Sequence, residues 1–513
     1  MRFLNIYLVL LLLGSGCTLV PSSRRVIEED FIEEITPEQR SEVWQDISDV
    51  KSRIQDDFDN ADLHRELAVL YRLAATPRSR LLSIESIERS IMLEPENPRN
   101  YVEKGLTLTA RRFLGEAEDT FQRATEIDPY CFEAWYQLGE LEKYNYMKLM
   151  CFPKHLKKSV KYYKKAYKFN KRDEDTLFNL SFLHMFRSMF RTSRKFAYKT
   201  ISVAPENPRN HLLLGSIFVH FKKFDEAEKS FNKAFSMMPD EDRMPYEDIS
   251  LLHSAYLREL YLSSSPQKKI EWNKKFWIEQ DPTPSSEINE RRLEHYRRVF
   301  IASETLTNKR LALEGEETDR GKALIKFGLP AKKYYDLSGS LTGGWIIWEY
   351  HLGKQSFRLY FHDEFLSGNF HFPISDYYGT MSIDIMNSIP QGYEYPVRFK
   401  FLPLRAEAAI FRGSYERTRL EFSIGLPASA AEIKGMKWNV VLTIFDSDWN
   451  RIFLETKALE LDTLPRIDKL GSKLLVFPFW VEVIPRYMLS TCVFEFINDE
   501  YKIKGTWRHS LEI

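Results

Sequence analysis

Residues 94–100 read "EPENPRN" and residues 204–210 read "APENPRN". The likeness continues past both. The first is followed by Tyr101, Gly105, Ala117, Phe121, Ala124 and Pro129, the second by His211, Gly215, Ala227, Phe231, Ala234 and Pro239. Pro95 and Pro129 are 34 residues apart, as are Pro205 and Pro239, so the stretches agree position by position. A fixed period of this length marks a stacked repeat, whose single unit cannot bury its own apolar face. Gly and Ala let the two helices of a hairpin touch, aromatics fill the space between hairpins, and proline stops the second helix because it lacks an N–H. Trp135, Leu138 and Gly139 open another unit that Ala166 closes, and Leu177, Leu180, Ala197 and Pro205 mark one more. Gly139 to Ala166 is 27 residues against 19 from Gly105 to Ala124, so eight residues are inserted within "YNYMKLMCFPKH" (144–155).

These positions resemble the tetratricopeptide repeat over about residues 62–240. The resemblance implies an α-solenoid whose first helices line a concave face with Val102, Leu106, Tyr136, Phe178, Phe182, Met185 and Leu212. Such a groove suits a helix or extended peptide of a protein partner. The alternative is that these side chains pack against the next element of the chain. Both readings stand at this level. The Lys and Asn pair that grips a C-terminal carboxylate in some such repeats is absent from the matching positions.

At 513 residues the chain holds several domains, and 43% apolar residues exclude general disorder. Lys plus Arg equals Asp plus Glu at 73 each, so no global charge recruits nucleic acid. The charge is unevenly placed. Residues 28–62 carry thirteen acids against three cations, and 154–172 carry nine cations and no acid. Lys157, Lys158, Lys161, Lys164 and Lys165 recur at steps that share one side of a helix. That side is either an anion-binding contact, to lipid head groups or an acidic partner, or a solvated face. The four cysteines form no CxxC pair. Cys131 and Cys151 either meet as a disulfide or are small buried side chains.

The N-terminus "MRFLNIYLVLLLLGSGC" has one cation, an apolar run from Ile6 to Leu13, then Gly14, Ser15 and Gly16 before Cys17. The run is too short to span a bilayer and fits a secretory signal, residues 1–16. The small residues before Cys17 resemble a bacterial lipobox. That resemblance implies cleavage before Cys17, acylation of it by palmitate-type chains, and, with Thr18 next, anchoring at the outer membrane of the cell envelope. Residues 17–61 read as an acidic linker with an amphipathic helix.

Near the middle stands "LEGEETDRGKALIKFGLPAKKYYD" (313–336). A phosphate loop is excluded. Gly315 to Lys322 is followed by Ala323 in place of a hydroxyl, and Glu316 and Glu317 put negative charge at the would-be anion site. Alternation of Ala323, Ile325 and Phe327 predicts a strand, with Thr318 or Asp319 holding a turn and Gly321 at positive φ. Upstream, Ser286 is expected to cap a helix running through Val299. "FWIEQDPTPSSEINERRLEHYRRV", "TDRGKALIKFGLP" and "IIWEYHLGKQSFRLYFHDEFLSGNFHF" resemble the GWxTD domain family of bacterial envelope proteins, often lipoproteins. Its name-giving motif falls on Gly315, Glu316, Glu317, Thr318 and Asp319, with Glu316 where the tryptophan stands. The resemblance, over a mixed α/β region at 245–385, implies a structural role for Gly315, Thr318, Asp319 and Gly321 and carries no catalytic residue.

From residue 390 to 513 period-two alternation predicts an antiparallel β-sandwich: Leu420, Phe422, Ile424; Leu475, Phe477, Phe479, Val481, Val483; Cys492, Phe494, Phe496. "FDSDWNRIF" has calcium-like spacing at Asp446, Asp448 and Asn450 but reads as a hairpin turn. The functional expectation is an envelope lipoprotein acting as a protein-interaction scaffold, without metal or cofactor. The competing reading is a hydrolase or metal-dependent enzyme with a site in 315–372, drawing on His362, Asp363, Glu364 and His371.

Overall fold

A computed structural model describes residues 36–150, 152–308, 311–336, 343–352, 355–364, 368–373, 377–389, 400–402, 405–412, 417–426, 437–460, 473–482, 489–499 and 503–512. Residues 1–16, expected to be a signal segment, and Cys17, Cys151 and Val483 lie outside the described residues. The chain divides into two compact units. One holds 1–217, 230–245 and 298–393, the other 218–229, 246–297 and 394–513.

The first unit is built on helical hairpins. α1 (Pro37–Asp56) starts at a capping box between Thr36 and Gln39. Its Ile47, Val50 and Ile54 pack on Leu63, Leu67, Leu70 and Tyr71, so the helical array begins before residue 62. The hairpins are α2 (Ala61–Leu73) with α3 (Pro77–Leu93), α4 (Pro98–Ala110) with α5 (Leu114–Ile127), α6 (Phe132–Leu149) with α7 (Pro153–Phe169), and α8 (Glu174–Phe186) with α9 (Phe190–Val203); α10 (Pro208–His220) and α11 (Phe224–Phe235) follow, with residues 218–229 counted in the second unit.

The repeat spacing has a visible cause. A Cβ on Gly105 would lie 2.4 Å from the Phe121 ring, one on Gly139 2.9 Å from Tyr163, and one on Gly215 3.0 Å from Phe231. Each glycine is the seat of an aromatic from the partner helix. In the α8–α9 hairpin the same two positions hold Ser181 and Ala197, both fully buried. A larger first residue is matched there by a smaller second one, the volume compensation that close packing demands. The divergent repeat keeps its geometry while losing its signature.

After α12 (Asp240–Glu247), α13 (Ala255–Leu262) and α14 (Pro266–Glu279) comes α15 (Glu290–Leu306). It starts after Asn289, whose Oδ1 accepts from the amides of Arg291 and Arg292 at 3.1 and 3.0 Å. The cap is therefore Asn289 and not Ser286. The predicted strand over 322–330 is corrected: residues Asp319–Phe327 form helix α16. Ala323, Leu324, Ile325, Lys326 and Phe327 are all buried, so the alternation carries no face information. The antiparallel sheet β1 (Lys332–Asp336), β2 (Gly344–Leu352) and β3 (Gln355–Asp363) follows, with α17 (Tyr377–Ser388) held to β3 by the Tyr360 amide donating to Ser382 Oγ at 3.0 Å.

The second unit carries two sheets. One has the order β4 (Lys400–Leu402), β11 (Ile503–Glu512), β10 (Leu489–Asn498), β7 (Lys437–Phe445), β8 (Arg451–Glu460). The other is β5 (Arg405–Arg412), β6 (Arg417–Leu426), β9 (Lys473–Glu482). Neighbours are antiparallel except β4 with β11. The sheets face each other through a core of Phe422, Trp438, Phe479, Phe494 and Phe496, with the Phe422 and Phe494 rings stacked at 4.9 Å. Cys492 lies in this core, and burial pushes its thiol up to about 12. The "FDSDWN" turn closes on Asp446. Burial would raise that carboxyl, but the amides of Asn450 and Asp448 outweigh it and hold it below its ordinary value.

Candidate functional site

The expected groove residues are mostly interior. Leu106, Tyr136, Phe178, Phe182, Met185 and Leu212 are buried, and Val102 is half-buried. At α8 and α10 the cover comes from the chain itself. The Phe182 ring meets Phe300 of α15 edge-on at 5.9 Å and stacks on Phe178 at 5.8 Å. The Arg209 guanidinium lies 3.7 Å from the Phe178 ring centre and grips Glu304 with two bonds of 2.7 and 2.6 Å. An open peptide groove at Phe178 and Phe182 is therefore corrected. A helix occupies it, in the manner of helix-in-groove recognition, and the helix is α15.

The Gly315–Gly321 turn locks α15 there. Gly315 abuts α15 so closely that a Cβ would sit 2.0 Å from the Ala302 carbonyl oxygen. Thr318 caps α16: its Oγ1 accepts from the Gly321 amide at 3.0 Å and donates to the Gly315 carbonyl at 2.8 Å. Gly321 is helical, not at positive φ, and it is small because its Cβ would stand 1.7 Å from the Gly315 oxygen. Asp319 accepts from the Phe372 amide at 2.8 Å, and Arg320 donates to the Lys148 carbonyl on α6 at 2.8 Å. One short turn thus ties together α15, α16, the segment after β3 and a repeat helix. Glu316 accepts from Ser303 Oγ of α15 at 2.8 Å, and burial holds its carboxyl above the ordinary range. Arg298 closes the other end of α16 through the Ile325 and Lys326 carbonyls, both at 3.2 Å. These contacts are architectural and bring no acid–base pair together.

The turn makes a direct prediction. Gly321→Ala should destabilise the protein by about 1–3 kcal/mol, because a backbone carbonyl and not a flexible side chain must yield. Thr318→Ala should cost about 1 kcal/mol as a lost N-cap. Urea unfolding midpoints measure both. Equal midpoints for Gly321→Ala and the parent protein contradict the close approach.

His362 and Asp363 are both buried at the end of β3. The His362 ring stacks on Trp345 at 4.3 Å, its backbone pairs with His371, and the Asp363 carboxylate accepts from the Gly368 amide. Among the described residues no group of three or more His, Cys, Asp or Glu is placed to hold a metal.

The basic side of α7 is solvent-facing. Lys157, Lys158, Lys161, Lys164 and Lys165 are exposed. Lys158 is engaged with buried Glu142 at 2.8 Å and Glu118 at 3.4 Å. The other four, with Val160 and Arg187, line a shallow cavity of about 450 Å³. Arg187 follows α8 and comes from outside the lysine-rich stretch, so helical spacing alone could not find it. Nor did the sequence single out a cavity of about 640 Å³ in the second unit, whose walls include Trp277, Tyr296, Trp449, Arg292 and Arg451.

The family model of the tetratricopeptide repeat matches residues 208–241. This is the stretch of α10 and α11. The helical repeat region resembles tetratricopeptide solenoids. Similar solved structures include YrrB, titled a TPR protein with an unusual peptide-binding site, at 16% identity, covering 37% of this chain and 93% of that one, TM-score 0.31. PilF of Pseudomonas aeruginosa is 17% identical over 42% and 93%, TM-score 0.34. MamA from Desulfovibrio magneticus RS-1 is 16% identical over 34% and 94%, TM-score 0.30. No curated protein matches.

Proposed function

We propose that this protein is an envelope lipoprotein, acylated at Cys17 and held at the outer membrane, that acts as a non-enzymatic protein-interaction scaffold. The GWxTD-like segment serves as the internal brace of its helical repeats. The observation that carries the reading is the α7 surface: a repeat scaffold presents four lysines and Arg187 around one cavity, with no carboxylate among the described residues of its walls. Repeats of this kind provide extended recognition surfaces. With the Phe178 and Phe182 side of the array filled by α15, the basic face of α7 is the recognition surface for an acidic segment of a protein partner.

Two changes test the parts separately. Cys17→Ala should move the protein from the membrane fraction to the soluble fraction without altering its fold. The combination Lys157→Glu, Lys161→Glu, Lys164→Glu and Lys165→Glu should reduce recovery of the co-purifying partner, and the loss should shrink as salt rises. Membrane retention of the alanine protein after carbonate washing rejects the anchor. Salt-independent, undiminished capture by the lysine variant rejects the α7 surface.

A further inference from the structure

The α13–α14 segment of the second unit exposes apolar side chains that a folded protein ordinarily covers. Tyr256, Leu257, Leu260, Leu262 and Ile270 are 70%, 37%, 41%, 51% and 62% exposed. Tyr256, Leu257 and Leu260 fall within an arc of about 100° on α13, so they form one continuous strip. The segment is not itself loose. Tyr261, on the inner side of α13, is buried and meets His253 at 5.9 Å and Trp272 of α14 at 6.3 Å. A contiguous apolar strip on an anchored helix marks a contact surface.

The surrounding charge identifies the contact. α13 and α14 carry five cations, Arg258, Lys268, Lys269, Lys274 and Lys275, against Glu259, Glu271 and Glu279, in a chain whose net charge is zero. Lysine is depleted in protein–protein interfaces, whereas exposed aliphatic and aromatic side chains flanked by lysines are the composition of helices that lie in the plane of a bilayer. The lysine stems can lie along the apolar surface while their ammonium groups reach head groups. We propose that α13–α14 is a peripheral membrane contact that inserts Tyr256, Leu257, Leu260 and Ile270 into the interface of an anionic bilayer. This goes beyond the scaffold reading and does not depend on acylation of Cys17.

The test uses the full chain with Cys17→Ala and Cys151→Ala, so that neither acyl chains nor Cys151 contributes. An environment-sensitive dye placed at Leu260→Cys should shift to the blue with vesicles of phosphatidylcholine and phosphatidylglycerol. The same dye at Tyr130→Cys, exposed on the first unit, should not. Adding Tyr256→Ser, Leu257→Ser and Ile270→Ser should abolish the shift and leave the circular dichroism spectrum unchanged, since all three side chains are exposed. Lys268→Glu should weaken the response to anionic vesicles on the order of tenfold at low salt, with no effect on vesicles of phosphatidylcholine alone. No shift at Leu260→Cys while the chain co-sediments with vesicles overturns the proposal. So does a shift that survives the three serines. A shift that appears without vesicles and rises with protein concentration overturns it in favour of contact with a second copy.

Discussion

Phe182→Ala should lower the free energy of unfolding by about 3–5 kcal/mol, the range for emptying a large buried aromatic site. The side chain is 1% exposed and lies between Phe178 and Phe300, so its loss leaves a cavity between the α8 repeat helix and α15. Had the same residue lined an open groove, its removal would have changed partner binding and left stability nearly untouched. Glu304→Gln separates the packing from the clamp. It keeps the side-chain volume but removes the charge that meets Arg209, and it should cost less than the aromatic change. Chemical denaturation of the three proteins orders them: parent, then Glu304→Gln, then Phe182→Ala. A Phe182→Ala midpoint within error of the parent would mean that α15 does not seat on the repeats.

Much of this was written in the sequence because repeats are redundant. Gly105, Gly139 and Gly215 each answer to an aromatic one helix later, and the pattern survives one divergent copy. The β-rich end was legible for a similar reason: Phe494 and Phe496 point the same way because strand side chains alternate. What failed was local. Residues 323–327 alternate in hydrophobicity but are buried on every side, so Lys326 is interior, donating to the Met386 carbonyl at 2.6 Å. The punctuation gave the better signal. Thr318 is an N-cap, Gly328 sits at φ 80° just past the end, and Pro330 follows, which is the start and stop grammar of a helix. The cover on Phe182 could not be read at all, since it depends on Phe300, more than a hundred residues away.

Acidification should destabilise the protein through His184 as well as through its carboxylates. The side chain is fully buried on α8, with the Phe196 ring 5.8 Å away. Burial pushes its pKa from 6.5 down to about 4; Lys164 and Arg187 push the same way, and the Leu180 carbonyl opposes them only weakly. The folded state therefore binds fewer protons than the unfolded state between pH 6.5 and about 4. The contribution of His184 is complete above pH 6.5 and drains away as the pH falls through that window. A shift of this size corresponds to about 3 kcal/mol. His184→Leu keeps an apolar side chain in the site and removes the titration. Urea midpoints measured from pH 7 to pH 4.5 should fall more steeply for the parent than for the variant. The difference between the two slopes isolates His184 from the carboxylates, which both proteins share. An anion held between Lys164 and Arg187 would shrink that difference by offsetting the cations, so repeating the series with added phosphate also reports on the α7 cavity. Parallel slopes for parent and variant would show that the buried ring titrates as it does in the unfolded chain.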